Sequence, residues 1–193
     1  MSEQKRKRLY DGYLKVEKDS ETGHEILVAT DSVGILMYDI VCKKVILVEQ
    51  SRDPMKGKTD EKGMIIEVPA GRFDCDLGLV NLVIKEVKEE TGIDIQTSDI
   101  ERLNYGEPLA LCPGTNTERM YLIAVELDLS QVVQDDKVYG AAGKNEKIHR
   151  LVISIDKFIS MTHQDMKTLT LANFLHAKML YAELERPLQS QDQ

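Results

Sequence analysis

Apolar positions recur in short β-like runs through the first third of the chain, switch to a helical period, and later switch back. Between Leu9 and Val16, the residues Tyr10, Tyr13, Leu14 and Val16 stand among polar ones, as in a strand. Asp19-Ser20-Glu21-Thr22-Gly23 reads as a turn and Glu25 to Ala29 as the returning strand. The resulting N-terminal hairpin is too small to stand alone in water and must lean on another sheet or another subunit. Ser32 to Tyr38 and Lys44 to Gln50 are β-branched apolar runs joined by Asp39 to Lys43, and they predict a central antiparallel pair. Asp53 to Gly63 is a charged connection, long enough to be either a mobile surface loop or a substrate-facing one. Met64 to Val68 predicts another strand, ended by Pro69-Ala70-Gly71.

From Leu79 the period is helical, with Leu82, Val83 and Val87 on one side, and Gly92 supplies the stop where a left-handed backbone is tolerated. Ile100 to Tyr105, Met120 to Leu127 and Ile148 to Ile155 read as strands. Thr168 to Leu184 reads as a second helix with Leu169, Ala172, Leu175, Met179 and Ala182 along its stripe, and His176 as a partly buried residue of that helix. The pattern predicts an α/β fold with helix–sheet–helix layering. Residues 1–30 form an N-terminal β region, 31–186 the main domain and 187–193 a frayed polar tail.

The chain has 193 residues, 42% hydrophobic and 30% charged, enough for one globular domain. Cys42, Cys75 and Cys112 are widely spaced and form no CxxC pair, which speaks against a disulfide framework and a thiolate zinc site. The net charge of -8 argues against nucleic-acid binding, and the short Lys5-Arg6-Lys7-Arg8 run reads as a solvated terminus. No apolar run approaches a membrane span or a signal core, so a cytoplasmic protein is expected.

The chemistry concentrates in Lys85-Glu86-Val87-Lys88-Glu89-Glu90-Thr91-Gly92-Ile93. Glu86, Glu89 and Glu90 fall on one side of the predicted helix, where like charges repel. Clustered hard oxygens beside a glycine loop suit a magnesium-type ion. The competing reading is an ordinary amphipathic helix with Lys85, Glu86, Lys88, Glu89 and Glu90 in water. A second functional candidate is the bend-rich loop from Ala110 to Glu118, Ala-Leu-Cys-Pro-Gly-Thr-Asn-Thr-Glu.

These blocks resemble the Nudix hydrolase family, whose pattern is Gly, five residues, Glu, seven residues, Arg-Glu, an apolar residue, any residue, Glu-Glu, any residue, Gly and an apolar residue. Gly71, Glu86, Val87, Glu89, Glu90, Gly92 and Ile93 match at the required spacing. Leu77 replaces the first Glu and Lys85 the Arg, two residues that commonly pair in the family. Glu67-Val68-Pro69-Ala70-Gly71 is similar to the strand end of the ADP-ribose and nucleotide-sugar pyrophosphatases of that family, and Pro113-Gly114-Thr115-Asn116-Thr117-Glu118-Arg119 to a loop of the ADP-ribose enzymes. Ser32 to Arg52 and Asn145 to Ser154 look like the same subgroup.

The resemblance implies a Nudix-type α/β/α sandwich with a mixed sheet, extended by the N-terminal hairpin, in a homodimer. It implies two or three Mg2+ or Mn2+ ions on Glu86, Glu90, Glu89 and the Ala70 carbonyl, with Glu118 and Glu89 catalytic and Glu118 handling the attacking water. Arg52, Tyr13 and Gly114 become substrate-binding candidates, Tyr13 as the aromatic that covers the base. The implied substrate is a nucleoside diphosphate sugar, first of all ADP-ribose, cleaved to AMP and ribose 5-phosphate. GDP-mannose or a UDP-sugar is the alternative, because Ile26 to Ala29 lacks the arginine usual in ADP-ribose enzymes. Leu77 and Lys85 motivate a further alternative, a weakly active or inactive Nudix-like binding module.

Overall fold

The computed structural model describes residues 6–73, 76–141, 143 and 146–184. The expected tail at 187–193 therefore lies outside the described residues, as do Lys5, Cys75 and Asn145. In chain order the elements are β1 (Arg6–Asp11), β2 (Lys15–Asp19), β3 (Glu25–Val28), β4 (Ser32–Asp39), β5 (Lys44–Ser51), β6 (Met64–Glu67) and β7 (Ala70–Arg72). They continue with α1 (Leu79–Thr91), β8 (Ile100–Arg102), β9 (Leu109–Ala110), β10 (Arg119–Glu126), β11 (Val138–Tyr139), β12 (Ile148–Ser154), α2 (Ile155–Ser160) and α3 (Met166–Leu184). The chain is of the α/β class, a mixed sheet with a few helices, consistent with a Nudix-type sandwich. Among the described residues no helix is long and apolar enough to cross a membrane.

Two compact units divide the chain. The first joins Met1–Ile35 with Pro69–Val125. Its N-terminal part is a three-stranded antiparallel sheet in the order β1-β2-β3, not the expected hairpin. The stretch read as one strand from Leu9 to Val16 breaks at Gly12, whose N–H bonds to the Leu14 carbonyl, and the chain reverses there. The β-like alternation ran through the break because Tyr13 and Leu14 are apolar turn residues. The second turn is as expected: Gly23 takes a φ of 74° while the Asp19 carboxylate accepts from the Glu21 and Thr22 N–H groups. The start of β4 pairs with β7 in the register Val33↔Gly71, and β10 pairs with β8 and β9. Ile100 to Tyr105 is strand only as far as Arg102. Asn104 and Tyr105 take positive φ and turn the chain, a conformation no apolar pattern announces.

The second unit joins Leu36–Val68 with Glu126–Gln193. Here the end of β4 pairs antiparallel with β5, Met37↔Ile46 and Asp39↔Lys44, as the sequence predicts. β5 also pairs with β6 and β12, which makes it an interior strand; Val45 to Val48 are all fully buried, whichever face they point to, so the run is continuously apolar instead of alternating. In α3 the buried positions are Thr168, Leu171, Ala172 and Leu175. The expected stripe is off by part of a turn: Leu169 is 47% exposed, and Leu180, Tyr181 and Leu184 face solvent, as does His176. Thr168 holds the inner face because its hydroxyl accepts from the Val68 N–H and donates to Asp165, a polar tie that hydrophobic periodicity cannot register.

The buried Asp39 closes the turn after β4. Its two oxygens accept from the N–H groups of Cys42 and Leu129, each at 2.8 Å. Burial pushes this carboxyl up, but the backbone donors outweigh it and hold it below the ordinary aspartate range. Asp39→Ala is expected to lower stability by about 2–4 kcal/mol at pH 7, because two N–H groups lose their acceptor. A depressed folded value means a contribution present above the ordinary aspartate value and lost as pH falls through the folded one. Urea denaturation at pH 7 and pH 3 checks this, with the gap between the two proteins narrowing at the lower pH.

Candidate metal centre

In α1 the burial of Leu82, Val83 and Val87 fixes how the helix is turned. The same rotation carries Glu86 and Glu90 inward, to 9% and 6% exposure. The helix ends at Gly92, with a φ of 73° and its N–H on the Lys88 carbonyl. A solvated acidic face is therefore the wrong description for these two residues, since burying a carboxylate is costly unless it is paired.

What they face is the strand that begins Ala70-Gly71. The Ala70 N–H donates to Glu90 Oε2 at 3.0 Å. A Cβ built on Gly71 would lie 2.3 Å from Glu86 Cγ and Cδ, so only a glycine lets the peptide approach this carboxylate. Lys85 donates to Glu86 Oε1 at 2.9 Å and to Glu89 Oε2 at 2.8 Å. Burial alone would push the Lys85 ammonium down, but hydrogen bonds to both carboxylates, reinforced by their charges, raise it well above the ordinary lysine value. Three carboxylates beside a closely approaching peptide make a hard-oxygen donor set whose chemistry suits a divalent cation of the magnesium type.

Glu118 ends the loop after Cys112, whose carbonyl accepts from the Thr115 and Asn116 N–H groups. Its own N–H is taken by Asn116 Oδ1, and its buried carboxylate accepts from the Arg72 guanidinium at 2.9 Å. The loop is held by β3, through Leu27 N–H to Thr115 O and Thr117 N–H to Leu27 O. Gly114 lies in open space at its tip, and Tyr13, between β1 and β2, is 92% exposed.

The first unit thus gathers Ala70, Gly71, Glu86, Glu89 and Glu90, and it ties Glu118 to the residue that follows Gly71. Arg52 belongs to the second unit, where its Nε and a terminal nitrogen both reach Glu67 Oε1 at 2.7 Å. Lys167 holds the other oxygen of that buried carboxylate. Sequence reasoning passed over Arg72, although a cation directly after the strand-end glycine was visible, and over Lys167, which lies 100 residues from its partner. It also passed over Asp39, Cys42 and Asp128. Among the described residues these are where three candidate ligand atoms lie within 4.8 Å of one another. Both Asp39 oxygens accept backbone N–H groups, and Asp128 Oδ1 accepts from Ser130, so this group ties turns together.

No family model matches the chain. It is 31% identical over 160 residues to a GDP-mannose pyrophosphatase of Salmonella arizonae, covering 81% of this chain and 78% of that protein. A GDP-mannose pyrophosphatase of Pectobacterium atrosepticum is 30% identical over 151 residues, 76% of this chain and 73% of its own length. One of Salmonella typhimurium is 29% identical over 160 residues, 81% and 78% of the two chains. With the length matched this far in both directions, the chain belongs to the family of nucleotide-sugar pyrophosphatases that includes the GDP-mannose pyrophosphatases.

Proposed function

We propose that this chain is a metal-dependent Nudix pyrophosphohydrolase that cleaves the diphosphate of a nucleotide sugar, with GDP-mannose ahead of ADP-ribose as substrate. The observation that carries the chemistry is the inward rotation of Glu86 and Glu90 against a strand end that only a glycine lets come so close. The substrate order rests on the three relatives named above, each a GDP-mannose pyrophosphatase, and reverses the preference read from the Pro113–Glu118 loop.

A diphosphate diester resists hydrolysis because its anionic oxygens repel a nucleophile. The chemistry a divalent ion supplies is neutralisation of that charge and activation of water. Glu86 and Glu90, with Glu89 and the Ala70 carbonyl, are the groups that would hold it. Glu118 accepts a proton from the attacking water or orients it, and must first release Arg72, its partner at 2.9 Å. Arg72 is then available to an anionic oxygen of the substrate. Arg52, oriented through Glu67, and Tyr13 remain the candidates for phosphate and base. The exposed Leu9, Tyr10, Tyr13 and Leu14 support a homodimer built on the N-terminal sheet.

A panel of sugar nucleotides incubated with Mg2+ tests the reading. GDP-mannose is expected to yield GMP and a sugar phosphate faster than ADP-ribose or a UDP-sugar yields its products. Faster turnover of ADP-ribose would restore the opposite order, and no turnover of any of them would leave a binding module.

A further inference from the structure

The acidic face of α1 already carries a cation. Residues one apart on a helix do not face each other, and an exposed lysine stretches its ammonium toward water. Lys85 does neither: its side chain, 30% exposed, curls onto Glu86 Oε1 and Glu89 Oε2 at 2.9 and 2.8 Å. The position of the acid that usually pairs with this base in the Nudix pattern is filled by Leu77, which has nothing to accept a hydrogen bond. Glu90 is served differently, by the Ala70 N–H.

We propose that Lys85 is a tethered counter-ion. It occupies Glu86 and Glu89 in the metal-free protein, relieves their mutual repulsion, and must leave them for a divalent cation to bind, so it weakens the site's affinity for metal. An ammonium is a compact point charge with donors only, and it repels a second cation on the same oxygens. The inference rests on the metal reading above, and the test separates the two.

The test is Mn2+ binding to the full chain without nucleotide, measured by calorimetry, together with thermal melting in EDTA and in Mn2+. Lys85→Met, similar in length and neutral, is expected to bind Mn2+ about tenfold more tightly. It should also melt lower than the parent in EDTA and gain more from added Mn2+. Lys85→Arg keeps the charge and should stay near the parent affinity. If Lys85→Met does not fold in EDTA, it is purified in Mn2+ and its affinity read by chelator competition. Equal or weaker binding by Lys85→Met overturns the counter-ion and leaves the metal reading standing. Absence of Mn2+ binding by the parent and every variant overturns both.

Discussion

Glu90→Gln is expected to fold normally and to lose about a thousandfold in kcat with Mg2+ and the preferred sugar nucleotide, equivalent to about 4 kcal/mol of transition-state stabilisation. Glutamine has nearly the shape of glutamate and keeps a carbonyl oxygen, so the bond from the Ala70 N–H can persist. What it removes is one buried negative charge from a helix face that carries three carboxylates. For a fold without metal the cost of that change is small beside the loss in rate, because the shape and the Ala70 bond are kept. For a site that holds a hard dication it takes away an anionic ligand. Melting in EDTA and steady-state kinetics therefore move apart: the midpoint stays while the rate collapses. A rate within tenfold of the parent would remove Glu90 from the metal site.

Gly71→Ala separates space from conformation. Gly71 is not among the positive-φ glycines, so alanine meets no backbone penalty there. The obstacle is Glu86, whose Cγ and Cδ would lie 2.3 Å and Oε1 2.7 Å from the new methyl. These are the outer atoms of a flexible side chain, so the carboxylate gives way before the strand does. Stability is expected to fall by only about 1–3 kcal/mol, the usual range for overpacking. Turnover should fall by about a hundredfold, since displacing a positioned group by about 1 Å can cost that much. Parent-level activity in a folded Gly71→Ala protein would mean that the position of Glu86 does not matter to the reaction.

The parts of the fold that sequence could read are those in which one pattern dominates. β4 and β5 are continuous apolar runs, and α1 combines a helical period with a glycine stop; all three stand where expected. The misreadings occur where a polar bond or a backbone turn decides. Gly12 splits the stretch from Leu9 to Val16 into two strands, Asn104 and Tyr105 turn the chain after β8, and the Thr168 hydroxyl takes an inner position from Leu169. At the site, the spacing of Glu86, Glu89 and Glu90 was legible because helical geometry is fixed. The partners Lys85 and Arg72 chose were not, because side-chain pairing depends on what else is near. Substrate preference was the least legible. The matched motifs describe how a diphosphate is held and say little about the base and sugar at its ends.

The long connection after Arg52 has a closed neck. The Arg52 N–H bonds to the Gly63 carbonyl, and Asp60 Oδ1 takes the N–H groups of Lys62 and Met64. Gly63 has a φ of 69°, and a Cβ there would sit 2.5 Å from the Arg52 carbonyl. At the far end, a Cβ on Gly57 would meet nothing within 4 Å. A stem sealed this way insulates the guanidinium at its base from changes in length at its tip, because lengthening an already closed loop adds little entropy cost. The Gly57 and Lys58 N–H groups bond to the Asp60 and Met55 carbonyls, so the exposed Lys58 side chain, and not a break in its backbone, is the place to attach a dye.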